Sequence, residues 1–209
     1  MLTADEWLLF VTLCLTMSAT PGPNMMYLTS RALGQGRAAA LTSLWGVATG
    51  FLVHLSVAAT GLAAILQATP GAHTAIRLAG AAYLLWLAWK TLRPASGGWQ
   101  TAQLPDATPR QLFIMGFMTN VLNPQAALLY LSIFSQFIRP ERGAVLWQGA
   151  QLGAVQIAIS VAVNAAVILG AARLAGWLSA RPWGWKAQRG IMGGVLAALA
   201  LRLALDGLR

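Results

Sequence analysis

Long apolar runs separated by short polar stretches dominate the chain. Trp7 to Ser30, Ala39 to Leu66, Leu112 to Ile138 and Val145 to Ala172 contain no Asp, Glu, Lys or Arg. Each exceeds the roughly 20 helical residues needed to cross a hydrocarbon core of about 30 Å. Two shorter stretches, Thr74 to Leu92 and Gly190 to Leu205, are bracketed by cations, Arg77 with Lys90 and Arg189 with Arg202. A cation at mid-span costs on the order of 2.5–3.5 kcal/mol, which places these four near helix ends. The pattern predicts an all-α membrane protein with about six transmembrane helices.

The same pattern repeats along the chain. A shift of 103 positions superposes Leu9 on Leu112, Phe10 on Phe113, Pro21 on Pro124, Tyr27 on Tyr130, Gly46 on Gly149 and Gly50 on Gly153 without a gap. At a shift of 112, Arg77 meets Arg189 and Lys90 meets Arg202. Coincident Pro, Tyr and paired Gly positions are harder to obtain by chance than apolar matches. The reading is a three-helix repeat at 1–93, a Gly-, Ser-, Thr- and Pro-rich linker at 94–110 and a second three-helix repeat at 111–209, within one membrane domain. Three is an odd number, so the second repeat enters the membrane from the opposite side. This inverted repeat of three plus three is an architecture that many secondary transporters use.

Spans one and four are interrupted at repeat-equivalent places. Pro21-Gly22-Pro23-Asn24 sets two prolines around a glycine at mid-membrane depth, and Asn120-Val-Leu-Asn123-Pro124-Gln125 interrupts the partner span. Proline removes a backbone donor and clashes with the preceding turn, so both helices are expected to break. A lone proline can merely kink a helix, but the matched pair favours two breaks. Lipid cannot satisfy the freed backbone groups, so the breaks must face protein or a water-filled cavity. Pro23 and Pro124 suit the first position of new half-helices, whose N-termini carry unpaired N–H groups and partial positive charge. Two such ends near the midplane, lined by Asn24, Asn120, Asn123 and Gln125, would hold a zwitterionic or weakly anionic solute.

Composition narrows the classes further. Of 209 residues 57% are hydrophobic and 9% charged, against about 25% charged in soluble domains. The net charge of +9 is spread along the chain. Most cations, Arg31, Arg37, Arg93, Arg110, Arg139, Arg142, Arg173, Arg181 and Lys186 among them, fall at segment ends where snorkelling keeps them wet, which points to a bilayer rather than nucleic acid. The loops after spans one, three and five carry nine cations and the other side five. The positive-inside rule then puts both termini outside. The single Cys14 excludes dithiol chemistry. Asp5 and Glu6 stand where a signal peptide needs positive charge, so the N-terminus reads as mature protein. His54 and His73 have no thiol or carboxylate company, so no metal is expected. No phosphate-binding loop, nucleophile–base pair or dinucleotide motif after a strand is present, so neither cofactor nor enzymatic activity is expected. Gly46-X-X-X-Gly50 and Gly149-X-X-X-Gly153 read as close-packing faces. Trp86, Trp89, Trp147, Trp177, Trp183 and Trp185 read as interfacial anchors.

Taken in order, Pro21-Gly-Pro-Asn24, Gly34-Gln-Gly36-Arg37, Gly46-Val-Ala-Thr-Gly50-Phe-Leu-Val-His54, Ala79-Gly-Ala-Ala-Tyr83-Leu-Leu-Trp86 and Asn120-Val-Leu-Asn123-Pro124 with Gln136-Phe137 resemble the LysE/RhtB amino-acid exporters over nearly the whole chain. The resemblance implies a multi-pass protein of the bacterial inner membrane that exports amino acids or close analogues, driven by the proton gradient. No acid lies inside any span, so a cationic side chain would lack a partner and a neutral substrate is expected. The threonine, homoserine and leucine exporters are the closer analogy within that family. Of the titratable groups within the spans, only His54 has a reference pKa near neutrality, which makes it the proton-coupling candidate. A neutral histidine hydrogen-bonded between helices is the equal alternative. Other classes compatible with the pattern are an accessory or binding subunit without transport of its own, and a solute channel indifferent to a proton gradient. Monomer and homodimer are both open.

Overall fold

The computed structural model describes residues 2–68, 72–93 and 107–180, together with scattered positions between 190 and 205. Residues 94–106 of the expected 94–110 linker and most of the sixth span lie outside the described residues, as do Arg181, Trp183, Trp185, Lys186 and Arg189. Every regular element among the described residues is helical: α1 (Ala4–Ala19), α2 (Pro23–Gly34), α3 (Arg37–Ala68), α4 (Ala72–Leu92), α5 (Pro109–Val121), α6 (Pro124–Phe137) and α7 (Val145–Ala180). A 3-10 turn at Pro140–Arg142 joins α6 to α7.

Helices α1 and α5 begin in the same way. Thr3 accepts a hydrogen bond from the Glu6 backbone while the Glu6 carboxylate accepts from the Thr3 N–H, and Thr108 and Gln111 form the same reciprocal pair. Such a box satisfies two of the donors that a helix start leaves orphaned. Helix α1 stops where Pro21 forces the preceding Thr20 into extended backbone (φ −75°, ψ 122°). The Thr16 and Thr20 hydroxyls each donate to the carbonyl four residues back, at 2.8 Å, so side chains occupy acceptors around the break. Helix α2 then starts on Pro23. Helices α5 and α6 are separated only by Leu122 and Asn123, and their axes bend by 56°.

Among the described residues, Arg37–Gly61 of α3 and Val145–Ala171 of α7 are each long and apolar enough to cross a membrane, and the bent α5–α6 pair meets the same test as one broken span. The first and third expected spans do not meet it. Helices α1 and α2 have 16 and 12 residues on either side of a break, and α4 carries Arg77 and Lys90 within its 21 residues. Trp45, Leu52, Val57, Leu128 and Trp147 point outward from these helices. A soluble protein rarely exposes apolar side chains so densely, whereas lipid makes that outward face favourable.

Packing is interleaved. Helix α3 lies on α5 and α6, while α7 lies on α1, α2 and α3, and α4 packs on α6. The middle helix of each half therefore rests on the broken helix pair of the other half. Helices α3 and α5 approach until backbone meets backbone. A Cβ on Gly46 would collide with the Phe113 carbonyl, one on Gly116 with the Ser43 carbonyl, and one on Gly50 would stand 2.8 Å from the Asn120 Cβ. Gly149 and Gly153 give α7 a similar approach to Ala59 and Leu55 of α3. The two Gly-X-X-X-Gly faces are thus packing faces, and Gly116 completes the first of them.

Candidate functional site

The two helix breaks border one central cavity. Its volume is about 80 Å³, and it is partly open to the exterior. Thr20, Gly22, Pro23, Asn24 and Met25 line it from the first break, and Asn123 and Ala126 from the second. Gly22 caps α2 in extended backbone (φ −135°, ψ 179°) and makes no side-chain cap hydrogen bond. Pro23 holds the first position, the N–H groups that follow it in the first turn have no partner within the helix, and the Asn24 Oδ1 is buried without a partner among the described residues. A helix start of this kind attracts a carboxylate through both N–H donors and dipole.

Opposite the breaks stands a polar wall on α7. Gln156, Ser160 and Asn164 recur every four residues, share one helix face and are each buried. The Tyr130 hydroxyl donates to the Gln156 carbonyl oxygen, and the Gln156 amide donates to Ser160 Oγ at 2.8 Å. Ser160 Oγ also meets Ser18 Oγ of α1 at 2.9 Å, and Asn164 donates to the Ser160 carbonyl at 2.8 Å. This chain of amides and hydroxyls links α6, α7 and α1. Met17, Phe51, Leu129 and Ile133 supply the apolar side. Among the described residues, no Asp, Glu, Lys or Arg lines the cavity.

The residues singled out in the sequence do not all reach this space. Gly22, Pro23, Asn24 and Asn123 line it, and Pro21 forms the turn between Thr20 and Gly22. Asn120 lies behind the second break with no exposed surface, and both of its amide atoms are buried without a partner among the described residues. Pro124 is the first residue of α6, and the side chains of Pro124 and Gln125 lie outside the described residues. His54 also stands behind the break, where its Nε2 lies 2.9 Å from the Asn120 carbonyl oxygen. A carbonyl only accepts, so Nε2 carries the hydrogen. His54 thus holds the end of α5 rather than touching the cavity.

Two features were missed in the sequence. The i, i+4, i+8 recurrence of Gln156, Ser160 and Asn164 within an apolar span was visible, but no break marked it. Arg31, read as a snorkelling helix-end cation, is 6% exposed. Its guanidinium donates to the Gln35 side chain at 2.6 Å, approaches Met115 Sδ at 3.2 Å and lies 5.5 Å from the Tyr27 ring centre. The packing of α2 on α5 encloses it, and its position in the last turn of α2 suits a cation.

The profile of the LysE type translocators matches residues 15–207. The chain belongs to that family. The translocator is 32% identical over 193 residues to the uncharacterized membrane protein YahN of Escherichia coli K12, covering 90% of this chain and 83% of the relative. It is 30% identical over 129 residues to the threonine efflux protein of Salmonella typhi, covering 60% and 63%. It is 27% identical over 178 residues to the homoserine/homoserine lactone efflux protein of Salmonella typhimurium, covering 85% of each. No solved structure matches the chain at a significant level. Family membership makes the protein a membrane translocator and not an enzyme.

Proposed function

We propose that this translocator exports neutral amino acids of the threonine and homoserine kind across the bacterial inner membrane, as a multi-pass carrier built from two inverted three-helix repeats and driven by the proton gradient. The observation that carries the reading is the central cavity, which sets an uncapped helix start beside a wall of amides and hydroxyls with no charged side chain among the described residues. An amino-acid carboxylate would lie at the start of α2, and the Asn24 and Asn123 side chains together with the α7 wall would take the ammonium and any side-chain hydroxyl. A fixed lysine or arginine side chain would find no carboxylate there, and burying an unpaired charge is costly. The relatives named for threonine and homoserine efflux support the same substrate class.

The repeat reading is supported by the matched capping boxes, the matched breaks and the interleaved packing of each half on the other. His54 is the proposed proton-coupling group because it sits one hydrogen bond from the α5–α6 break. A proton on Nδ1 would change what the ring offers its surroundings while leaving the Asn120 contact in place, which gives pH a hold on the break. In this reading, His54→Asn leaves solute binding measurable but makes efflux indifferent to an imposed proton gradient. Unchanged coupling in that variant would remove His54 from the mechanism.

The deciding experiment is efflux of radiolabelled threonine, homoserine and leucine from proteoliposomes with and without an imposed proton gradient. Flux that rises with the gradient is expected. Flux of the same size without the gradient would instead mark a channel, and no flux across the panel would mark another solute class or an accessory role.

A further inference from the structure

We propose that solute leaves the central cavity along the seam between α1, α6 and α7, through an aromatic gate formed by Phe10 and Phe137, into a second chamber at the start of α1. This rests on the reading of the central cavity as the solute site. The second chamber has a volume of about 120 Å³ and is lined by Leu2, Trp7, Phe137, Gln148, Gln151 and Leu152.

The two chambers share all three helices. The central one takes Cys14 from α1, Ile133 from α6 and Gln156 from α7. Four residues along each helix, in the direction of the second chamber, stand Phe10, Phe137 and Leu152. Four residues are about one helical turn, a rise of about 5–6 Å. A single layer of buried apolar side chains therefore separates the chambers. Within it the rings of Phe10 and Phe137 meet edge to face at 5.1 Å, and Trp7 meets Phe10 in the same manner at 5.8 Å. No hydrogen bond is needed to hold such rings together, so they can part by rotation without orphaning a donor or acceptor. A dry layer of this kind blocks water and polar solute until it opens.

The rim of the second chamber is built differently. The Gln148 amide donates to the carbonyls of Arg139 and Gly143 at 2.8 and 3.0 Å, and its oxygen accepts from the Arg139 N–H at 2.9 Å. Arg142 is paired with Glu6 of α1 at 2.8 Å. Directional polar bonds thus fix the rim, whereas only apolar contacts close the layer beneath it. The layer is the part that can move, and Gln151 offers a neutral polar group to a solute that has passed it.

Cys14 supplies the test, because it is the single cysteine, lines the central cavity and is 1% exposed. The full-length protein in proteoliposomes is treated with a membrane-impermeant methanethiosulfonate sulfonate reagent on one side at a time. A Leu2→Cys variant in a Cys14→Ser background marks the side to which the second chamber opens. From that side, Phe10→Ala and Phe137→Ala are each expected to speed labelling of Cys14 by about tenfold or more. Leu112→Ala, a buried truncation on α5 away from the seam, is expected to leave the rate unchanged. Unchanged labelling in both folded Phe variants, or equal acceleration in Leu112→Ala, would overturn the gate. Where an Ala variant does not fold, Phe10→Leu and Phe137→Leu are read by the same criterion. The assay needs no transport, so faster labelling in a protein that moves no amino acid would keep the gate and discard the substrate reading.

Discussion

Asn120 holds an uncomfortable position. Its side chain is fully buried against Gly50, and neither amide atom has a partner among the described residues. An unsatisfied buried polar group costs about 1–3 kcal/mol, and a group retained at that cost in one state is expected to find its partners in another. Asn120→Ala should therefore raise the melting temperature of the detergent-solubilised protein while lowering efflux. A loss of stability in this variant would show that the amide is satisfied where it stands. Asn24 and Asn123 differ, because both line the cavity. Their Ala variants, expressed normally, are expected to lose about tenfold or more in efflux, in proportion to hydrogen bonds made to a charged solute group. Undiminished efflux would remove them from the solute site. The sequence named all three asparagines as one group. Which of them face the cavity depends on where the second break turns each side chain, and spacing alone does not fix that.

Helix breaks and helix contacts were unequally legible. Pro21 and Pro124 announced both breaks because the missing N–H and the ring clash act locally, whatever the rest of the chain does. The capping boxes at Thr3–Glu6 and Thr108–Gln111 were equally local, yet they lay in polar flanks that the search for long apolar runs passed over. Gly46 and Gly50 signalled close packing, but not against which helix. The structure sets them on α5, where Gly116 meets them from the other side. Adding a methyl group at Gly46 or Gly116 drives it into a backbone carbonyl that cannot rotate aside. Gly46→Ala and Gly116→Ala are therefore each expected to destabilise the fold by about 1–3 kcal/mol or more, the cost of overpacking a well-filled interior. Gly61→Ala, with open space at its Cβ position, should cost nothing measurable. Thermal unfolding of the three variants in one detergent compares them directly, and equal melting temperatures would disprove the close approach.

At the scale of the whole molecule, one ion pair ties the two halves together at the rim. Partial burial alone would raise the Glu6 carboxyl, but the Thr3 N–H and the Arg142 guanidinium outweigh it and hold the pKa below its ordinary value of 4.5. A carboxylate held low stabilises the fold fully above its unfolded pKa and loses that contribution as pH falls through the folded value. The stability difference between wild type and Glu6→Gln should thus be constant from neutrality down to about pH 5 and shrink at more acid pH. A difference that grows on acidification would reverse the assignment. The contribution is small because both partners remain partly exposed. By itself the sequence determined the membrane class, the two breaks, the family resemblance and the absence of acidic residues from the spans, because hydropathy, proline geometry and composition act residue by residue. Only the tertiary structure decided that Gln156, Ser160 and Asn164 form the wall opposite those breaks, that Arg31 is enclosed and that Asn120 and His54 stand behind the cavity. Those outcomes depend on which face each helix turns toward a neighbour distant in sequence, and packing between helices sets that rotation.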